Sequence, residues 1–265
     1  MARRDGTLDV TRMSALVDQI AELNKSGVEI ILISSGAVAS GRSEIHPQKK
    51  LDSVDQRQLF SAVGQAKLIN RYYELFREHG IAVGQVLTTK ENFSTRRHYL
   101  NQKNCMTVML ENGVIPIVNE NDTVATHEIE IGDNDTLSAI VASMIGADLL
   151  ILLSDIDGLY TDDPRANPDA KFIETVEHLD ESFLRMGKST TGSGVGTGGM
   201  STKLTAATIA TASGADMVIA NSKDVRIIHR IIDGENYGTL FLAEKQDAFD
   251  LPDFVENLHS CRERG

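Results

Sequence analysis

Short apolar runs alternate with amphipathic stretches along this chain, and that alternation limits its fold more than any other feature. Helical periodicity, with apolar side chains on one face, marks residues 10–23, 58–78, 99–110, 136–145 and 203–212. The runs between them have the length and continuous apolarity of buried parallel strands. These runs are VEIILIS (28–34), IAVGQVLTT (81–89), VIPIVNE (114–120), DLLILLSD (148–155) and DMVIANS (216–222). The pattern predicts an α/β fold with helices on both faces of a mainly parallel sheet.

Composition and charge narrow the class of protein. A chain of 265 residues with 41% hydrophobic residues has enough apolar surface for one large core, so we expect a single domain over 1–265. The net charge of −12 argues against a nucleic-acid partner or an anionic membrane, because both require a basic surface. Cys105 and Cys261 have no CxxC spacing, so neither a disulfide framework nor a zinc site is predicted. The chain has no apolar run of membrane-spanning length and no apolar signal segment at its start, so we expect a cytoplasmic protein.

Small polar residues cluster where the predicted strands end. Ligands of open parallel sheets bind at the carboxyl ends of the strands, so these clusters are the first candidates for a site. Taken singly, such residues are typical of turns and helix N-caps, and Asp133 and Asn134 are read equally well as caps. Asp155 and Asp157 do not form a calcium loop, because the further acidic positions are missing. The clusters are SSGA (34–37), NEND (119–122), GDND (132–135) and SDIDG (154–158).

A glycine-rich stretch, TGSGVGTGGMSTK (191–203), precedes the last amphipathic segment. It is not a Walker A loop, since Lys203 is preceded by Thr202 and followed by Leu204 where G-K-[ST] is required. Gly198 and Gly199 would let backbone N–H groups approach a phosphate, and the helix that follows would add its positive dipole end. From the residues alone, a phosphate loop and a linker both remain open.

Taken in order, these motifs resemble those of the amino acid kinase family. The resemblance rests on SSGAVASGR (34–42), AVGQ (62–65), NENDTVA (119–125), GDNDTLSA (132–139), SDIDGLYTDDPR (154–165) and GTGGMSTK (196–203). The GGM-x-x-K element is shared by several branches of that family. GDNDTLSA after NENDTVA is similar to the branch whose acceptor is glutamate.

The resemblance assigns roles to particular residues. Glutamate would be bound by Ser35, Asp122 and Asn134, and the nucleotide would lie against Ser154 and Asp155. Catalysis would depend on Lys203 and on Asp135, which would orient the lysine and the metal, with no dedicated protein metal site expected. The phosphates would be wrapped by Thr197, Gly198, Gly199, Met200, Ser201, Thr202 and Lys203.

The activity implied by the resemblance is ATP- and Mg²⁺-dependent phosphorylation of the side-chain carboxylate of L-glutamate, the first step of proline biosynthesis. A carboxylate is already a nucleophile at neutral pH, so the reaction needs in-line placement and charge neutralisation, and no general base. The resemblance also implies an eight-stranded, three-layer αβα sandwich, a homodimer or homotetramer, and feedback inhibition by proline.

Two departures from the family pattern affect the expected activity. Members usually begin with a strand reading V-V-K-x-G-S, whose lysine contacts the phosphates. This chain begins after that point, and Arg3 and Arg4 are expected to be solvated. The chain also ends without room for the PUA module that some members carry. A catalytically impaired ligand-binding subunit, or a kinase for aspartate or N-acetylglutamate, is therefore kept as an alternative.

Overall fold

The described part of the chain contains both the predicted strands and several that the sequence patterns miss. The computed structural model describes residues 3, 5–124, 131–162, 164, 167–180, 183 and 199–258. Helices in these ranges are α1 Val10–Lys25, α2 Ala37–Glu44, α3 Ser53–Glu78, α4 Glu91–Ser94, α5 Arg96–Glu111, α6 Asn134–Ile145, α7 Met200–Ser213, α8 Ile227–Ile232 and α9 Leu251–Glu256. Strands are β1 Leu32–Ile33, β2 Ala82–Thr88, β3 Val114–Glu120, β4 Leu149–Ser154, β5 Leu159–Tyr160, β6 Phe172–Ile173, β7 Thr175–Val176, β8 Asp216–Asn221 and β9 Thr239–Phe241.

The backbone divides into two compact units. Unit 1 comprises Met1–Asn92 and Leu100–Ile131, and unit 2 comprises Phe93–Tyr99 and Gly132–Gly265. Each unit has its own parallel strands, as the apolar runs predict. The expectation of a single domain over the whole chain stays a prediction.

Unit 1 is built on a three-stranded parallel sheet in the order β1-β3-β2. The central strand β3 pairs along its whole length with β2, from Ala82↔Val114 to Thr88↔Glu120. All but the first residue of β3 are buried, as expected for a strand covered on both faces. The parallel arrangement places the carboxyl ends of the three strands at one edge of this sheet.

The predicted strand over 28–34 is much shorter than expected. Only Leu32–Ile33 form β1, and they pair with Ile117 and Val118 of β3. Residues 28–31 are half-buried or exposed. Within the described residues β1 pairs with β3 only, so few residues of this apolar run form hydrogen bonds of a sheet.

Helices α2 and α3 lie unusually close together because glycines face each other between them. A Cβ on Gly64 would lie 1.7 Å from the carbonyl oxygen of Ala37, and one on Gly41 would lie 1.9 Å from that of Phe60. Only hydrogen fits at either position. The AVGQ motif therefore serves helix packing, which fixes the start of α2 directly after the SSG turn.

Unit 2 contains a mixed sheet in the order β4-β8-β9-β7 and the antiparallel pair β5 and β6. β4 and β8 are parallel, with Leu149 opposite Asp216 and Ser154 opposite Asn221, as predicted. β9 runs antiparallel to β8. Helices α6 and α7 pack against each other through mostly buried small and aliphatic side chains.

Several element boundaries differ from the sequence predictions. Helix α3 begins at Ser53 rather than 58, since Asp52 caps it by accepting from the Asp55 amide. Helix α7 begins at Met200 rather than 203, after an extended Gly199. The sequence patterns miss β5, β6, β7 and β9, whose two or three residues are too few to show a period. Residues 161–170 connect β5 to β6, and those that are described are exposed or half-buried.

Candidate functional site

In unit 1, the residues predicted to bind the acceptor, glutamate, lie at the carboxyl ends of β1 and β3. Ser35 is exposed and follows β1, and Gly36 at φ +113° is the N-cap residue of α2. A positive φ of this size favours glycine, which explains the third residue of SSGA. Asp122 follows β3 and its side chain is 14% exposed. The structure thus places Ser35 and Asp122 at the same edge of one sheet, as the strand-end argument predicts.

Asp122 is held by an arginine that the sequence analysis did not single out. Arg57, near the start of α3, places Nε 2.8 Å and Nη2 2.7 Å from the same carboxylate oxygen, Asp122 Oδ1. Its Nη2 also lies 3.7 Å from Oε2 of Glu120. Glu120 is buried, and its Oε1 accepts a 2.5 Å hydrogen bond from the amide of Ile131. Both carboxylates at the end of β3 therefore lie beside Arg57 of helix α3, and Glu120 is also bonded to the amide of Ile131.

The same helix supports the ends of two strands farther along its length. Gln65 Oε1 accepts a 3.0 Å hydrogen bond from Nδ2 of Asn119, and both side chains are buried. The hydroxyl of Tyr72 lies 2.8 Å from Oγ of Ser34. Burial raises the pKa of Tyr72 to about 12, an effect that the hydrogen bond to Ser34 partly opposes. Helix α3 therefore contacts Ser34 and Asn119, which lie shortly before the two residues predicted to bind the acceptor.

The GDND motif opens helix α6 in unit 2. Asp133 is its N-cap residue: Oδ1 accepts from the Thr136 amide at 2.7 Å and Oδ2 accepts from the Thr136 hydroxyl at 3.0 Å. The capping interpretation is thus correct for Asp133. Asn134 is the first residue of the helix and is half-buried, which leaves its predicted contact with glutamate a prediction.

The two predicted catalytic residues meet in unit 2. Lys203 Nζ donates a 2.8 Å hydrogen bond to Oδ2 of Asp135, and the side chains are 7% and 21% exposed. The hydroxyl of Thr202 lies 3.0 Å from the same carboxylate oxygen. A buried lysine must be paired to stay charged. This pair provides a cation beside the first turn of α7.

The start of α7 has the features of an anion site. Gly199 is its N-cap residue, extended at φ −82° and ψ 180°, and as a glycine it has no side chain that could cap the helix. The N–H groups of the first turn have no intrahelical acceptors, and the helix dipole favours an anion there. Met200, Ser201 and Thr202 form this turn, and Lys203 is the next residue. Thr197 and Gly198, with the glycine stretch before them, lie outside the described residues.

Strands β4 and β8 end side by side in unit 2, where the nucleotide contacts were predicted. Ser154 is half-buried and Asp155 is exposed. The carbonyl oxygen of Ser154 accepts from both the amide and the hydroxyl of Ser222, at 2.7 and 2.6 Å. Asn221 Nδ2 donates a 2.6 Å hydrogen bond to Asp157 Oδ1. The SDIDG loop is therefore fixed by the polar residues that end β8.

Sequence reasoning missed three supports of these sites. Asn221 and Ser222 end the fifth apolar run, so the strand-end rule applied to that run would have found them. No sequence signal identifies Arg57, since it lies on a helix 65 positions from its partner. Among the described residues, no group of three acidic, histidine or cysteine side chains is arranged to hold a metal, and no helix has both the length and the apolar character to cross a bilayer.

Comparison with known proteins shows the family to which the chain belongs. The model of the amino acid kinase family matches residues 4–221. The chain belongs to the amino acid kinase family, as the motifs predict. The crystal structure of UMP kinase from Bacillus anthracis has the same fold, with a TM-score of 0.59 at 16% identity, covering 92% of this chain and 91% of that one.

Relatives of higher identity are named for one branch of the family. Glutamate 5-kinase of Bacteroides thetaiotaomicron is 71% identical over 230 residues, which are 86% of this chain and 62% of that protein. Glutamate 5-kinase of Clostridium acetobutylicum is 45% identical over 241 residues, 91% of this chain and 90% of that protein. The chain thus spans 62% of the length of the first relative and most of the second.

Proposed function

We propose that this chain transfers the γ-phosphoryl group of ATP to the side-chain carboxylate of L-glutamate, giving glutamyl 5-phosphate and ADP. The observation that carries the phosphoryl-transfer part is the buried Lys203–Asp135 pair beside the uncapped start of α7. The choice of glutamate is supported by the names of the relatives and by the NEND and GDND motifs. Proline feedback, a homodimer or homotetramer, and a place as the first step of proline biosynthesis follow from the resemblance and belong to the same proposal.

The proposed reaction makes limited demands on the protein. An oxygen of the glutamate side chain attacks the γ-phosphorus, and the bond from that phosphorus to the β–γ bridging oxygen breaks to release ADP. No proton has to be removed from a carboxylate, so no general base is required. The protein must hold the acceptor and stabilise charge on the transferring group.

Lys203 and the first turn of α7 would stabilise that charge. The lysine has three N–H donors, of which Asp135 accepts one, so donors are left for phosphate oxygens. The N–H groups of Met200, Ser201 and Thr202, which have no intrahelical acceptors, would add further hydrogen bonds. Mg²⁺, when bound with ATP, would neutralise charge on the phosphates; such ions bind through phosphates, water and one or two carboxylates. Asp135, whose side chain is 21% exposed, would be one such carboxylate.

The acceptor would be bound by Ser35, Asp122 and Asn134. Glutamate has one cationic group, its ammonium, and a carboxylate such as Asp122 is a suitable partner for it. A hydroxyl and an amide, as on Ser35 and Asn134, suit hydrogen bonding to carboxylate oxygens.

A hydroxylamine trap tests the proposal. Glutamyl phosphate reacts with hydroxylamine to form glutamyl hydroxamate, so the chain is incubated with glutamate, Mg·ATP and hydroxylamine. The same assay is run on a second chain to which a strand of the form V-V-K-x-G-S has been added before Met1, and aspartate and N-acetylglutamate serve as competing acceptors. We expect hydroxamate from glutamate in preference to the other two. Its absence from both chains, or preference for another acid, would overturn the proposal.

A further inference from the structure

Arg57 contacts only one of the two carboxylate oxygens of Asp122. Its Nε donates a 2.8 Å hydrogen bond to Oδ1, and its Nη2 lies 2.7 Å from the same oxygen. Within the described residues, Oδ2 of Asp122 has no hydrogen-bond partner, although the side chain is only 14% exposed. A carboxylate held by one oxygen has a fixed plane, and its second oxygen is available in a defined direction. This arrangement suits a ligand cation approaching Oδ2.

The guanidinium of Arg57 also lies near a second carboxylate. Besides Asp122, Nη2 of Arg57 lies 3.7 Å from Oε2 of the buried Glu120. The planar guanidinium fork makes such a two-carboxylate arrangement directional, which a lysine ammonium would not. Arg57 also compensates part of the negative charge of Glu120 and Asp122, where an anionic acceptor would otherwise be repelled.

The backbone that carries Arg57 is well supported. Helix α3 is anchored to Asn119 through Gln65 and to Ser34 through Tyr72. Its close approach to α2 is possible only because residue 64 is a glycine. A side chain projecting from this helix therefore has a fixed origin relative to the end of β3, which a positioning role requires.

We propose that Arg57 is a positioning residue for the acceptor: it orients Asp122 so that Oδ2 pairs with the ammonium group of the amino-acid substrate. The proposal rests on the proposed function and assigns a role to a residue outside the family motifs quoted above. Arg57 acts through Asp122, and its loss weakens acceptor binding while nucleotide binding is preserved.

The test measures binding of glutamate and of ADP by calorimetry for the natural chain and for Arg57→Ala, Arg57→Lys, Asp122→Asn and the double variant Arg57→Ala/Asp122→Asn. We expect Arg57→Ala to raise the Kd for glutamate roughly 10- to 100-fold and to leave the Kd for ADP within about twofold. Arg57→Lys should recover part of the loss, because it restores charge without the fork. The double variant should be no weaker than Asp122→Asn alone, since both changes remove the same interaction.

A matched control is available on the same helix. Arg71 pairs with Glu74 at 2.9 Å, and both side chains are 42% exposed; Arg71→Ala should leave both dissociation constants unchanged. Thermal unfolding of each variant identifies losses that come from folding. Additive effects in the double variant, or equal losses for glutamate and ADP, would overturn the proposal. Failure of the natural chain to bind glutamate would instead refute the proposed function, so the two failures are distinguishable.

Discussion

Each unit contains an ion pair to a carboxylate of one motif, NEND in unit 1 and GDND in unit 2, and the two pairs have different cations. In unit 1 the guanidinium of Arg57 pairs with Asp122, and in unit 2 the ammonium of Lys203 pairs with Asp135. The shortest N···O distances are nearly equal, at 2.7 and 2.8 Å. The cations differ in exposure, since the arginine side chain is 29% exposed and the lysine side chain 7%.

The difference between the cations indicates a difference in task. A guanidinium is a rigid fork that fixes the orientation of its partner, whereas an ammonium is a compact charge whose three donors turn freely. The arginine is suited to orient a carboxylate that binds substrate. The lysine lies next to the first turn of α7. Its ammonium is suited to stabilise the negative charge that develops on the transferring phosphoryl group. The predictions below test this division.

Loss of the lysine should give the largest effect. Lys203→Ala is expected to lower the rate of glutamyl hydroxamate formation by about 10³-fold or more, as for comparable phosphate-stabilising cations. The free energy of unfolding should fall by only about 1–3 kcal/mol, because Asp135 keeps its contact with Thr202 and some solvent. Lys203→Arg is the informative companion, since it keeps the charge and changes the shape. If Lys203→Ala retained full activity, the glycine stretch would have to be regarded as a linker.

Crowding between α2 and α3 in unit 1 should give the next largest effect, a loss of folding stability. Gly64→Ala places a Cβ 1.7 Å from a backbone oxygen, so we expect a loss of about 3 kcal/mol or more in the free energy of unfolding. Gly80→Ala is the matched control: Gly80 has φ +73° and nothing within 4 Å of a Cβ, so only backbone strain of about 1 kcal/mol is expected. Urea unfolding of both variants measures the difference, and equal losses would contradict the packing argument.

Removal of the buried tyrosine hydroxyl should change the response to alkali. The pKa of Tyr72 is raised from 10 to about 12 in the folded chain, so above pH 10 the unfolded state loses its proton first. Stability from this group is complete below pH 10 and is lost as the pH rises toward 12, by about 2–3 kcal/mol in total. Tyr72→Phe should lose about 1 kcal/mol at neutral pH and show a shallower fall between pH 10 and 12. Parallel stability curves for the two proteins would refute this assignment.

An exposed ion pair should give the smallest effect. Asp224 and Arg226 lie 2.7 Å apart with side chains 48% and 78% exposed. Hydrogen bonds from Arg226 lower the pKa of Asp224 to about 2, so its contribution would be lost only as the pH falls through that value. Asp224→Asn should leave the Tm at neutral pH within roughly 1 °C and activity unchanged, because solvent screens exposed pairs. A clear loss of activity would contradict this expectation, because it would show that an exposed ion pair with a short N···O distance can be required for activity.

Sequence reasoning succeeded where the signal is periodic or local. The apolar runs located the five strands, and the capping pattern of GDND located the start of α6 within two residues. The Asp135–Lys203 proximity followed from the resemblance, and the structure places the two side chains in contact. The short strands β5, β6, β7 and β9 escaped because two or three residues have no measurable period. Arg57 escaped because its partner is brought near by tertiary packing, which no spacing in the chain records.

The division between the two units can be measured directly by hydrogen exchange, with glutamate and ADP added separately. We expect glutamate alone to slow exchange most strongly over 114–124 and at the start of α2, around the Arg57–Asp122 pair. ADP with Mg²⁺ should slow it most strongly at the start of α7 and over 149–157. Protection of the α7 start by glutamate alone, with no change over 114–124, would contradict the assignment of the ammonium contact to Asp122 in unit 1.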